Sequence, residues 1–559
     1  MTKTSAANIS SKESSVMDLS SPCDSWRRFA AVTALLAGLL AGFVGAAPAL
    51  AAEPSALIAT AIAKLGGAAK LSAIARLQIT AKHTHWDPQE TLEPDVGTRL
   101  GGESHFTLSE DFANGRARYD WVRHRIAPMV RTFIYSEILA DGIGYVLGED
   151  NIVLSRQAKE TNPSLHTMSV SRVVANRREL HRMSPRLLVE MHDHPERLAA
   201  LPDETIEGKS LAVVSYQADD AVWYVLFGAD SLPDRIRTID SDGVWGDCNY
   251  DMILSDWREV GGVMFAFTQS FTLNGREVQR INVEEIIVNP VLGTDLFRIP
   301  KIVAETAAKQ KAPDEVNVQW MLRRANWGSF IDSDELAYDP ALVAGNIWTQ
   351  VKPGIWHITG GSHNTLVVEM KDHLVAFDAP IGNEMSKLTI AEAARRFPDK
   401  PFRYLVLTHH HMDHVNGARA FAAKGADLVF AAGNGKYFAA QMRAQNRIRN
   451  DELWQKPRDV GMLEVNDRLT LTDGTRNIDL CVIENSHAHN MLIAVIPDAD
   501  FGWAVDIWSP TRDIPGALVS HRELIAGLRK LGVMPSLWAG GHGTGAAPIK
   551  PLVDALDKM

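Results

Sequence analysis

The sequence predicts an α/β protein in two parts: an α+β domain built mainly on antiparallel sheet, then a sheet covered by helices. Three observations predict it. Between Leu77 and Pro300, strand-like stretches alternate apolar and polar residues and are broken by turn signals such as Asp240-Ser-Asp-Gly243, Gly261-Gly262 and Asn274-Gly275. From about Gly345 onward, strand-like runs come first in succession and then alternate with helical segments. Residues 301–341, rich in Lys, Ala, Gln and Asp before Trp320 and Trp327, read as a linker that partly packs. A length of 559 residues suits two or three domains, and 46% hydrophobic with 22% charged residues is a globular composition.

Taken in order, the chain begins with a targeting segment. Arg27 and Arg28 precede a mostly small-apolar run from Phe29 to Ala47, and Ala49-Leu-Ala51 offers an A-x-A cleavage site. Residues 1–51 are therefore expected to be a signal peptide. Its removal would leave a periplasmic or secreted protein with no stable membrane anchor. The net charge of −11, with no basic run to offset it, argues against nucleic acid as a partner and leaves a small-molecule substrate. Cys23 leaves with the signal. Cys248 and Cys481 remain, and their spacing does not say whether they pair.

The first domain is expected over residues 52–300. Leu57, Ile58, Ala61, Ile62 and Leu65 recur at helical spacing before Gly66-Gly67 interrupts. Leu77–Ala81 and His105–Leu108 read as strands, residues 170–200 as helix, and Ser210–Pro300 as strands again. His192-Asp-His194 lies on the polar helical stretch and reads as a solvated face, not a ligand pair. Ser255–Met264, Asn289–Leu292 and Leu296–Pro300 are similar to the closing strands of periplasmic lipoprotein-carrier-like domains. That resemblance implies a curved antiparallel sheet wrapped around a helix, with an apolar concave face.

The second domain is expected over residues 342–559. Ile355–Ile358, Asn364–Met370 and His373–Asp378 read as strands, and Ile390–Phe397 as a helix. The next strand, Tyr404–Leu407, ends in Thr408-His-His-His-Met-Asp-His414. A core strand that finishes in four histidines and an aspartate points to a bound divalent ion, because imidazole and carboxylate suit zinc and similar metals. If the chain stays extended there, His409 and His411 project the same way. Asp413 and His414 then fall where the chain turns towards a helix and can face a second point.

Thr408-His-x-His-x-Asp-His414 resembles the signature of the metallo-β-lactamase-fold hydrolases. The resemblance covers roughly residues 350–545 and implies an αββα sandwich with two zinc ions per chain. It implies a further ligand in Glu484–Pro497, His487 or His489, with the family's spacing to Pro497 favouring His487; Ser486 stands where members usually carry glycine. Asp506, closing Phe501–Asp506, would bridge the metals, and His542, between glycines in Ala539–Thr544, would be the last ligand. His409, His411 and His487 would then bind one zinc, and Asp413, His414 and His542 the other. Asp413 would also carry the catalytic proton. Thr408, Asp378 and His410 would stand behind the ligands, and His363 and Trp508–Arg512 would line the pocket.

Within this resemblance, Asp506 in place of a cysteine sets the chain apart from one large branch of true β-lactamases. His411, where diiron oxygen-reducing relatives carry a carboxylate, favours hydrolysis over iron redox chemistry. The expected activity is hydrolysis of an ester-like bond by a zinc-activated hydroxide, with lactone or carboxylic ester favoured. The alternatives are a β-lactam, thioester, phosphoester or sulfate ester, or a ligand-binding envelope protein with an accessory metal domain.

Overall fold

The alternating pattern of the first domain builds a single sheet in the computed structural model, which describes residues 53–127, 130–151, 163–313, 316–328, 332, 346–510 and 518–558. The expected signal segment lies outside these residues, as do Thr511 and Arg512. Among the described residues the sheet has thirteen strands, all antiparallel. Its first strand, β1 (Arg76–Asp87), sits in the middle, paired on one side with β2 (Arg99–Asp111) and on the other with the closing strand Arg276–Val288. Beyond β2 come β3 (Arg116–Arg125) and β4 (Arg131–Ala140). Asn274 and Gly275, at φ 48° and 76°, make the tight hairpin that returns the chain into the closing strand.

The period-2 rule sets what each face carries. On β1, Leu77, Ile79, Ala81, His83, His85 and Asp87 point inward and are buried. Helix Pro54–Lys64 lays Ile58, Ala61 and Ile62 on the apolar part of this face, and helix Leu187–Asp193 adds Leu187, Leu188 and Met191. The apolar face is thus covered by the chain's own helices. His192 and His194 are half-exposed beside Asp193 and Glu196. Cys248 and Cys481 are both buried and unpaired. Among the described residues no helix is long and apolar enough to cross a membrane.

The second domain is a helix–sheet–sheet–helix sandwich. Among the described residues a seven-stranded mixed sheet runs from Ile347–Lys352 to Met462–Val465, and a six-stranded sheet from Arg468–Thr472 to Ala547–Pro548. Val368, Phe377 and Val406 of the first sheet meet Leu480, Ile493 and Trp503 of the second in one core. Helices Asn383–Arg396 and Gly435–Arg443 cover the first sheet, and helix Val519–Leu531 packs on the second.

Residues expected as a linker contain a helix that packs far more than a tether would. Asn317 caps helix Val318–Trp327, its Oδ1 accepting from the Trp320 amide at 3.1 Å, and Gly328 ends it at φ 62°. It buries Trp320, Met321, Arg323, Arg324 and Trp327. Its arginines and Trp327 reach Asp87 and Glu90 of the first domain, while Trp320 meets His363 of the second edge to face. This bridging helix belongs to the compact unit that the chain forms from Ala51 onward.

Candidate metal centre

The motif strand Phe402–Leu407 lies in the middle of the seven-stranded sheet, parallel to both neighbours, so its C-terminal end opens where the two sheets meet. Residues 408–411 leave the strand, and His411 is still extended (φ −61°, ψ 139°) before the short helix Met412–Val415. His409 and His411 therefore share a side, with ring centroids 4.6 Å apart. His410 turns away and packs edge-on against Tyr437.

Asp506 stands at the centre. Its Oδ2 lies 3.2 Å from His409 Nε2, 3.1 Å from His487 Nε2 and 3.0 Å from His414 Nε2, and its Oδ1 lies 2.6 Å from His542 Nε2. His409, His411, His487 and Asp506 form one cluster of potential ligand atoms; His363, His414 and His542 form a second. Asp413 stands between them and a third cluster with Glu90 and His411. Its Oδ2 is 3.1 Å from His363 Nε2 and its Oδ1 is 3.9 Å from His414 Nε2. All seven residues singled out in the sequence are brought together. Of the two candidates in the 484–497 stretch, His487 reaches Asp506, whereas His489 faces away and contacts Glu93 at 3.1 Å.

The hydrogen bonds decide which nitrogen of each ring is left for a cation. Thr408 Oγ1 donates to Asp378 Oδ2 at 2.9 Å, so it accepts from His409 Nδ1, which leaves the lone pair on Nε2. His411 Nε2 donates to the Thr91 carbonyl at 2.9 Å, and His542 Nδ1 to the Ser362 carbonyl at 3.0 Å. In His409 and His411 the nitrogen facing the cluster is thus the unprotonated one, while His542 Nε2 is hydrogen-bonded to Asp506 Oδ1. Among the described residues, His409 Nε2, His411 Nδ1, His414 Nε2, His487 Nε2 and Asp413 Oδ1 are buried with no hydrogen-bond partner. Lone pairs crowded around a carboxylate are costly unless a cation lies among them. The donor set fits divalent metal.

The carboxylates also draw positive charge towards them, whether a proton or a metal ion. Burial opposes ionisation of Asp506, yet the charges of His414, His487 and His542 hold it well below the usual carboxylate range. Burial also works against charge on His414, but Asp506 and Asp413 pull it up to about 10. Burial pushes His409 down to about 4 and His363 to about 3. Behind the loop, Asp378 accepts from the Thr408 amide at 2.8 Å and from its hydroxyl, and burial raises its carboxyl to about 7. Asp378 and Asp506 both sit in the left-handed region (φ 57° each), which aspartate tolerates better than most residues and which recurs at functional sites.

The first domain reaches into this centre, which motif reading did not foresee. Glu90 Oε2 lies 3.4 Å from His411 Nδ1, and Glu90 Oε1 accepts from Arg324 Nη2 at 3.2 Å. Arg324 Nη1 donates to Asp413 Oδ2 at 3.3 Å, and its guanidinium lies over Trp320. The visible signal was a pair of arginines on a helix that also presents two tryptophans. A fourth acidic cluster, Asp150, His166 and Asp332, is a different case: the Arg172 guanidinium sits among its acids at 2.6–2.7 Å.

Residues 358–475, which include His409, His411, Asp413 and His414, match the family model described as the metallo-beta-lactamase superfamily. No curated protein matches the chain. Among solved structures it is similar to the rubredoxin oxygen:oxidoreductase of Desulfovibrio gigas (16% identity, 38% of this chain, 60% of that one, TM-score 0.30). It is also similar to a metallo-beta-lactamase from Pontibacter korlensis (12% identity, 38% of this chain, 97% of that one, TM-score 0.29). A third is the mono-zinc form of the FIM-1 metallo-beta-lactamase from Pseudomonas aeruginosa (16% identity, 38% and 93%, TM-score 0.30). The chain spans about three-fifths of the length of the first of these. The domain that carries the histidine centre is a metallo-β-lactamase superfamily domain.

Proposed function

We propose that the chain is an exported hydrolase that holds two zinc ions and cleaves an ester-like bond, with lactones and carboxylic esters favoured. The observation that carries this reading is the ring of partnerless imidazole nitrogens around Asp506. His409, His411 and His487 would hold one ion, His414 and His542 the other with Asp413 at its edge, and Asp506 would bridge. Bound there, two divalent ions would supply Lewis acidity, activating water at neutral pH and polarising the acyl oxygen.

The protein's own groups do the rest. Asp413 is anchored through one oxygen by Arg324 and His363, which leaves Oδ1 directed at the reacting atoms. It accepts the proton of the attacking water and returns it to the leaving group. Burial of His409, His411 and His414 keeps bulk water from their ligand nitrogens. Arg324 orients Asp413, and Glu90 orients Arg324. Arg324→Ala is accordingly expected to lower kcat by about 10–100-fold, as loss of a group behind a metal site does, with metal content unchanged. Steady-state kinetics alongside metal analysis checks it.

The reading as a whole is tested by metal analysis of the purified mature chain and turnover of a lactone, a carboxyl ester, a cephalosporin, a phosphodiester and an alkyl sulfate. About two zinc ions per chain, with the lactone or ester turned over, is the expected result. A metal-free chain, or a metal-loaded one that turns over none of the five, overturns it.

A further inference from the structure

Among the described residues, two groups of buried polar atoms that lack a hydrogen-bond partner bring many such atoms close together. One is the metal centre, where most of the orphans are lone pairs. The other lies on the inner face of the first domain's sheet, where most of the orphans are donors. These are Arg123 Nε, Arg125 Nε and Nη2, Ser104 Oγ, Tyr135 Oη and the Nδ1 atoms of His83 and His85. Each set asks for a ligand of the opposite kind.

Strand register draws the second set into a compact block. His83 of β1 pairs with Ser104 of β2, which pairs with Arg123 of β3; in the next inward-facing row His85 pairs with Gly102, which pairs with Arg125. Two imidazoles and two guanidiniums thus flank a middle strand whose side chains are small. The Arg125 guanidinium donates to His85 Nε2, so the His85 proton must sit on Nδ1, where it has no acceptor.

Among the described residues no carboxylate pairs with this block. The other buried arginines of the described residues, from Arg172 to Arg419, each pair with an Asp or Glu. Arg123 and Arg125 do not. Their guanidiniums lie over the rings of Trp121 (4.0 Å) and Trp327 (5.6 Å), but a ring face satisfies charge and not the in-plane N–H groups. Burial, followed by the charge of Arg125, holds His85 well below its ordinary value, so this imidazole stays neutral and offers its Nδ1–H as a donor.

We propose that this block is a binding site for an oxoanion, a carboxylate or a phosphate-type group, received by Arg123 and Arg125 with Ser104 and His85 as further donors. Its position couples it to the metal centre. The Asn326 carbonyl accepts from Arg123 and Trp327 covers Arg125, while Arg324, one turn earlier on the same helix, contacts Asp413. The anion is either the remote acidic group of the substrate or a separate ion that steadies the bridging helix.

The test is calorimetric titration and thermal melting of the full mature chain with phosphate, sulfate and succinate at ionic strength matched with sodium chloride. Saturable binding and a raised melting temperature are expected with at least one of them, because a ligand of the folded state stabilises it. Arg125→Gln is expected to weaken binding by at least about tenfold, the loss of a charged hydrogen bond. Ser104→Asp, which places a carboxylate inside the block, is expected to melt higher than the parent without added anion and to lose the response. A parent chain indifferent to all three anions overturns the proposal. So does a Ser104→Asp chain that melts lower and keeps the full response. Neither measurement needs turnover, so failure here is distinct from failure of the hydrolase reading. With a substrate that is turned over, phosphate raising KM at constant kcat identifies the substrate's own acidic group; unchanged KM identifies a separate ion.

Discussion

Asp506→Asn is expected to strip the centre of metal and activity together. Its two oxygens stand within 2.6–3.2 Å of four imidazole nitrogens, drawn from three separate stretches of chain, so both proposed sites share this one side chain. An amide keeps the shape and offers a single oxygen, and its NH2 group meets lone pairs. Metal content should fall from about two ions to one or fewer, and kcat/KM by more than the ~100-fold typical of losing a group behind the ligands. Metal analysis after dialysis, with kinetics on the same sample, is the measurement. An Asp506→Asn chain that keeps both ions and its rate removes the bridge from the account.

The second large effect is expected at Asp413. Arg324 and His363 occupy one carboxylate oxygen, and the other is buried without a partner. That arrangement suits a group that must accept a proton in a fixed direction. Asp413→Ala should lower kcat by about 10²–10⁴-fold, the usual contribution of a placed acid–base group. Ions at His409, His411 and His487 should remain, since Asp413 is not in that cluster. Unimpaired turnover by a folded, metal-replete variant would refute the proton-transfer role. A matching loss in Glu90→Gln would instead trace the effect to the Glu90–Arg324–Asp413 chain of contacts.

Much of this centre was legible in the chain because its chemistry is written in local spacing. His409 and His411 sit two apart at the end of a strand, so backbone periodicity alone brings their rings within 4.6 Å. Asp506, at the end of an apolar run, and His542, between glycines, were legible only through the resemblance that the 408–414 motif carries. The choice between His487 and His489 was open on the residues alone. Folding separates them, since the loop aims one ring at Asp506 and leaves the other half-exposed beside Glu93.

By itself the sequence determined the two-part α/β architecture and the side chains of the centre, apart from the choice of His487 over His489. Hydrophobic period and ligand spacing are properties of neighbouring residues, so a linear reading reaches them. Only the tertiary structure decided that the first domain completes the centre. The Thr91 carbonyl that orients His411 lies 320 residues away and is a backbone atom with no sequence signature. Arg324 is separated from Asp413 by 89 residues and meets it because the bridging helix is buried between the domains. The same holds for Arg123 and Arg125. Charge is visible in the sequence, but that no carboxylate of the described residues pairs with it shows only once neighbouring strands and the bridging helix are packed together.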